Sequence, residues 1–260
     1  AGLKAVGESV ENPLIYYDNN VTGSVNLLSA MSKYGCSKIV FSSSATVYGD
    51  PQYLPYDEAH PLNPVNPYGR TKLMVEGIIA DWCAADSARS AVALRYFNPV
   101  GAHVSGMIGE DPRGVPNNLM PFIAQVAVGR RESLKVFGGD YDTSDGTGAR
   151  DYIHVVDLAR AHVSAIGHME HHLGFEAINV GTGSAVTVLE LVAAFERASG
   201  RKVPYELVER RAGDVASSVA DPRKAIDLMD WRAQNTVDDM CKDTWNWQSQ
   251  NIAGFKSTDT

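Results

Sequence analysis

The sequence predicts an α/β fold: the second half of a doubly wound parallel sheet, followed by a smaller C-terminal lobe. Three observations lead there. Short strand-like runs at residues 38–42, 91–96 and 177–180 alternate with helical patterns at 19–34, 68–85 and 155–168, the order in which a parallel sheet is built. After Asn98 the segments lengthen and carry more Gly and Pro, as where a lobe departs from a sheet. The chain has 260 residues, 44% hydrophobic and 21% charged, enough to bury the core of one or two domains. The expected division is 1–98 for the sheet domain and 99–260 for the lobe, with some lobe segments returning to the sheet.

Each element has its own signal. Val21, Val25, Leu28 and Met31 recur at three and four residues, and Gly35 stops that helix. Ile39, Val40 and Phe41 form an apolar run that breaks into Ser42, Ser43 and Ser44, so a buried strand ends with hydroxyls at its C-terminal tip. Prolines 51, 55, 61, 64 and 67 make residues 50–67 a stiff irregular wall. Asn66-Pro67 then opens a helix to about residue 85.

Beyond residue 98 a helix is expected at 117–128, whose start offers backbone amides and two Asn side chains. Strands are expected at 134–137 and 203–208, a helix at 188–199 stopped by Gly200, and a closing helix through Trp245. The acidic run 140–146 is a near miss for a calcium loop, because its glycine falls one position late. His168, His171 and His172 read as a polar helix end rather than a metal site. The polar tail 256–260 is expected to lack fixed structure.

A formal net charge of -8 argues against nucleic-acid binding through a broad basic surface and leaves room for a local basic pocket and a small anionic ligand. Cys36, Cys83 and Cys241 are widely spaced, so neither disulfides nor zinc is indicated, and a reducing, cytoplasmic setting is expected. No apolar run approaches the roughly 18 residues of a membrane span, and the first residues do not read as a signal peptide.

The chemistry is concentrated between Phe41 and Lys72. Tyr68 and Lys72 are four apart and share one helix face. A phenol with a pKa near ~10 is no base at neutral pH unless a neighbouring cation stabilises the phenolate, and Lys72 can be that cation. A serine from the strand tip can hydrogen-bond the same substrate hydroxyl. Together they suit removal of a proton from an alcohol that is losing hydride.

Ser42-Ser43-Ser44-Ala45-Thr46-Val47-Tyr48-Gly49 followed by Pro67-Tyr68-Gly69-Arg70-Thr71-Lys72 resembles the extended short-chain dehydrogenase/reductase superfamily and, within it, the UDP-glucose 4-epimerase family. The segments 1–9, 95–103, 116–121 and 146–154 resemble epimerase segments in the same order, so the likeness covers nearly the whole chain. It implies an NAD-dependent isomerase with a Rossmann-type sheet that interconverts UDP-galactose and UDP-glucose through a 4-keto intermediate. It implies Ser44, Tyr68 and Lys72 as catalytic residues. Lys4, Asn19, Ser42, Tyr68, Lys72 and Tyr96 are implied for the cofactor, and Asn98, Asn118, Arg150, Arg211 and Asp214 for the nucleotide sugar. The two arginines can meet a pyrophosphate with forked donors, and Asp214 can accept from ribose hydroxyls. Ser218 stands where a bulky Tyr in some epimerases goes with exclusion of N-acetyl sugars, so UDP-GlcNAc and UDP-GalNAc are expected substrates too. A homodimer is implied.

The resemblance also implies an amino-terminal glycine-rich turn that this sequence lacks. Gly2 and Gly7 do not replace it, since Glu8 stands where a phosphate-binding loop needs Lys. The expectation is that this chain alone is incomplete and not a stable, active epimerase. Two other readings are a non-catalytic nucleotide-sugar binding or interaction module, and a nucleotide-sugar 4,6-dehydratase. The dehydratases carry an acidic pair after the strand-tip hydroxyl, where this chain has Ala45-Thr46.

Overall fold

The structure is a computed structural model that describes residues 2–112, 114–211 and 213–255. In chain order come α1 (Val6–Glu11), α2 (Pro13–Tyr16), a π-helical stretch (Tyr17–Thr22), α3 (Gly23–Lys33), β1 (Lys38–Ser42), a 3-10 turn (Ala45–Val47), α4 (Pro67–Ala84), β2 (Ser90–Tyr96) and β3 (Asn98–Val100). Then follow α5 (Leu119–Ala127), β4 (Leu134–Phe137), β5 (Ala149–Arg150), β6 (Tyr152–His154), α6 (Val155–His168), β7 (Gly174–Val180) and β8 (Val186–Thr187). The last elements are α7 (Val188–Ser199), β9 (Tyr205–Val208), β10 (Ser217–Ser218), α8 (Arg223–Met229) and α9 (Val237–Gln250). The tail 256–260, expected to be unstructured, lies outside the described residues.

Several boundaries move for identifiable reasons. The helix expected over 19–34 is π-wound from Tyr17 to Thr22 before it becomes regular. Helix α5 starts at Leu119 because Asn118 stays extended (ψ 148°) at the N-cap, a position Asn favours. Strand β9 starts after Pro204, which has no N–H for the ladder and contributes its carbonyl to Leu134 N at 2.8 Å instead. Helix α9 continues past Trp245 to Gln250, started by a capping box between Thr236 and Asp239.

The described residues form two compact units. The first comprises residues 2–97, 160–180 and 220–232. Its sheet has the order β1-β2-β7, all parallel, with Lys38 opposite Ser90 and Tyr96 opposite Val180. Ala91, Val92, Ala93 and Leu94 of the central strand are fully buried, as expected for a parallel strand covered on both faces. Val75, Ile79 and Cys83 of α4 pack with Leu28, Met31 and Ala91. Each large aliphatic chain buried there contributes up to about 1.5–3 kcal/mol. Asn66 caps α4 by accepting from Gly69 N at 2.8 Å. A Cβ on Gly69 would lie 2.8 Å from Thr46 O, so the lack of a side chain there lets the helix start close to the turn after β1.

The second unit comprises the described residues of 98–159, 181–219 and 233–255. It has no long sheet among its described residues. Its strands pair as β3-β6, β4-β9 and β10-β5-β8, and all but the antiparallel β5-β8 pair are parallel. Met120 and Ile123 of α5, Leu191 and Phe195 of α7, and Met240 and Cys241 of α9 form its core. Helix α7 begins with a Thr187/Glu190 capping box and ends on Gly200 at φ 65°, a left-handed conformation that costs glycine little. No helix among the described residues is long and apolar enough to cross a membrane.

Candidate active site

The first unit brings Ser44, Tyr68 and Lys72 together. Ser44 follows the tip of β1 and caps the 3-10 turn, its Oγ accepting from Thr46 N at 3.2 Å and Thr46 Oγ1 at 3.0 Å. Those bonds occupy its lone pairs and leave its proton for another acceptor. Tyr68 sits in the first turn of α4, with its backbone N donating to Ser9 Oγ at 3.2 Å. Burial pushes the Tyr68 phenol up to about 12; a hydrogen bond with Ser44 pulls it down and nearby Tyr96 adds to the rise. Lys72 Nζ donates to Ser42 O at 2.8 Å and stands 5.7 Å from the centre of the Tyr68 ring. Burial pulls Lys72 down to about 8, opposed by the Glu76 carboxylate, so it is a cation at neutral pH. Ser44 thus opposes the effect of burial on the Tyr68 phenol, and Lys72 stands on the same helix face.

Lys4, Asn19, Ser42 and Tyr96 belong to the same unit. Asn20 holds the segment that carries Lys4: its Oδ1 accepts from Leu3 N at 2.8 Å, and its Nδ2 donates to Leu3 O at 3.0 Å and to Thr71 Oγ1 at 3.2 Å. Asn19 Nδ2 donates to the same Oδ1 at 2.8 Å. A Cβ on Gly2 would lie 3.7 Å from Lys72 Nζ, which shows how near this segment comes to α4. Ser42 Oγ is 3.0 Å from His162 Nε2, and burial raises the Tyr96 phenol while Ser42 pulls it down.

Sequence reasoning missed a buried polar network beneath this group. Arg95 donates to Glu76 through Nε at 3.0 and 3.2 Å and through Nη2 at 2.6 Å, and Ser43 Oγ donates to the same carboxylate. Arg95 Nη1 also donates to Tyr48 OH at 3.2 Å, and Tyr48 OH donates to Asn179 Oδ1 at 2.6 Å. One signal existed: Glu76 is four residues beyond Lys72 and eight beyond Tyr68, on the same helix face. An arginine inside an apolar strand was a second.

The second unit carries an open pocket of about 560 Å³. Asn98, Asn118, Arg150, Arg211 and Asp214 line it, between apolar walls that include Phe122, Val136, Phe137 and Val188. Asp214 holds the two arginines, with Arg211 Nε at 3.0 Å and Arg150 Nη2 at 3.9 Å. The Arg211 guanidinium lies 4.7 Å from the centre of the Phe137 ring. Asn118 Nδ2 donates to Glu110 Oε1 at 3.2 Å. Ser218 is not among the lining residues; it lies on β10 opposite Arg150. The Tyr141 hydroxyl, on a lining residue the sequence did not suggest, is buried without a partner. Walls of this kind with a few charged groups suit a ligand that is part aromatic and part anionic.

A serine-tipped parallel strand facing a Tyr-x-x-x-Lys helix defines a protein of the extended short-chain dehydrogenase/reductase superfamily, and a family model described as GDP-mannose 4,6 dehydratase matches residues 1–244. Curated relatives narrow this. UDP-glucose 4-epimerase of Bos taurus is 58% identical over 256 residues, covering 98% of this chain and 74% of the relative. The enzyme of the same name from Bacillus subtilis (strain 168) is 58% identical over 259 residues, covering 100% of this chain and 76% of that one. The crystal structure of UDP-glucose 4-epimerase from Bifidobacterium longum in complex with NAD+ and UDP superposes with a TM-score of 0.94 at 52% identity, covering 98% of this chain and 76% of that chain. The chain belongs to the UDP-glucose 4-epimerase family.

Proposed function

We propose that this protein interconverts UDP-galactose and UDP-glucose with NAD as cofactor. The observation that carries the reading is the buried Tyr68 phenol bonded to Ser44 and sharing a helix face with cationic Lys72, in a chain more than half identical to UDP-glucose 4-epimerases. Tyr68 takes the proton of the hexose 4-hydroxyl and returns it after the sugar has turned over. Ser44 shares that proton and holds the oxygen. Lys72 keeps its charge at neutral pH and favours the phenolate.

The donor set of the first unit fits NAD. Lys72 is a partly buried cation with three N–H donors, one of which is spent on the Ser42 carbonyl, leaving others for ribose hydroxyls. Lys4, Asn19, Ser42 and Tyr96 would complete that contact. When bound, NAD supplies the hydride acceptor and donor for C4 of the hexose and brings a positive charge to the site. In the second unit, Arg150 and Arg211 hold the pyrophosphate, Asp214 the ribose hydroxyls, and Asn98 and Asn118 the remaining polar edges of the nucleotide sugar. On this reading the first unit is the NAD domain and the second the UDP-sugar lobe. Ser218, a small residue beside Arg150, supports acceptance of the N-acetyl hexoses as well.

Exposed Val25 and Leu27 on α3 and Met74 on α4 support a homodimer through these helices, which sedimentation at micromolar concentration tests: a monomer there counts against it. Free Cys36, Cys83 and Cys241 support a cytoplasmic setting. The function itself is tested by incubating the NAD-loaded protein with UDP-galactose and measuring UDP-glucose in a coupled assay. Conversion is expected on this reading, and its absence would bear out the expectation that this chain alone is not an active epimerase. Tight UDP binding without turnover would instead favour a non-catalytic binding module, and loss of water to a 4-keto-6-deoxy sugar a dehydratase.

A further inference from the structure

We propose that Glu76 is a positioning residue of the proton-transfer site, holding the three segments that carry Ser44, Lys72 and Tyr96 in one fixed register. The inference rests on the epimerase reading above. Glu76, Arg95 and Ser43 are 3%, 4% and 0% exposed, so the carboxylate and guanidinium meet away from water. Charge pairs buried in this way are weak devices for stability, since packed apolar residues of similar size often serve as well. The placement of this pair points to another role.

Each partner is tied to a residue of the site. Ser43 lies between Ser42 and Ser44, so the bond from its hydroxyl to Glu76 fixes the tip of β1 from which Ser44 projects. Glu76 lies one helical turn beyond Lys72, so the same carboxylate fixes the rotation of α4 and with it Lys72 and Tyr68. Arg95 precedes Tyr96 at the end of β2, and its three contacts with Glu76 lock helix to strand. Its remaining bond to Tyr48 reaches the segment that follows the 3-10 turn capped by Ser44. One carboxylate thus joins β1, α4 and β2 at the points where the reacting groups leave them.

Two variants test this. Glu76→Gln keeps the size but leaves the Arg95 charge unmatched; the double variant Glu76→Leu with Arg95→Met removes both charges and restores an apolar fit. Both are assayed as NAD-loaded protein, with UDP affinity and cooperative melting as controls on the fold. A displacement of reacting groups of the order of 1 Å costs about 100-fold, so the double variant is expected to lose roughly 10- to 100-fold in kcat while its KM for UDP-galactose stays within about twofold. A double variant that melts like the parent and keeps its kcat within about twofold overturns the inference while leaving the epimerase reading intact. Absence of turnover in the unsubstituted protein overturns that reading, and the inference with it.

Discussion

The two units hold their functional groups by opposite means. In the first, Ser44 and Tyr68 are buried, each is fixed by bonds to backbone or neighbouring side chains, and a further layer of buried charge lies beneath them. In the second, Arg150 and Arg211 stand on short or irregular segments, bonded to Asp214 and partly open to solvent, with side-chain exposures of 20% and 56%. Proton transfer demands that a phenol meet a hydroxyl to within tenths of an ångström, which a packed sheet edge and helix start can guarantee. Holding a charged nucleotide demands complementary charge over a wider surface, and side chains that pair with each other until a ligand arrives meet that need with less precision.

The comparison breaks first at Tyr68. Tyr68→Phe removes one oxygen from a packed site, so the protein should melt within a few degrees of the parent and bind UDP unchanged. Its turnover should fall by about 10²- to 10⁴-fold, the usual contribution of a positioned acid or base. Retention of more than a tenth of the parental kcat would mean that the phenol is not the base.

How far each unit could be read in advance follows the same division. Ser44, Tyr68 and Lys72 were legible because their signals are local: an apolar run that breaks into serines, and a four-residue helical spacing. The support beneath them was not. Glu76 meets Ser43 from 33 residues away and Arg95 from 19, and Tyr48 meets Asn179 across 131, which no periodicity reports. The π-winding from Tyr17 to Thr22 was also invisible, since of the apolar positions that signalled the helix only Val21 falls inside it. In the second unit even the proposed ligand residues came from family resemblance. Its cavity is assembled from β3, α5, β4, β5 and the loop around Arg211, and the unpartnered hydroxyl of Tyr141 became visible only in three dimensions.

The converse substitution is Arg150→Ala. It should weaken UDP binding by about 10- to 100-fold, as for the loss of a charged hydrogen bond worth roughly 1.5–3 kcal/mol, while saturating UDP-galactose restores most of kcat. Titration calorimetry with UDP measures the first effect and steady-state kinetics the second. A large loss in kcat with unchanged UDP affinity would place Arg150 with the chemistry and erase the division of labour between the units.

The smallest and most selective effect is expected at Ser218. This residue does not line the cavity, but it is paired with Arg150, which does. A Tyr at this position adds a ring that can reach past the strand toward the arginine, whereas Ser leaves that volume open. Plain hexoses need no such space and an N-acetyl group does. Ser218→Tyr should therefore suppress conversion of UDP-GalNAc to UDP-GlcNAc by about 10-fold or more, near the discrimination a site achieves by steric exclusion of a small group. Turnover of UDP-galactose should change by less than about threefold, since Ser44, Tyr68 and Lys72 lie in the other unit and keep their supports. Equal loss of both reactions would show that the substitution disturbs the Arg150 strand as a whole, and that Ser218 does not select between the sugars.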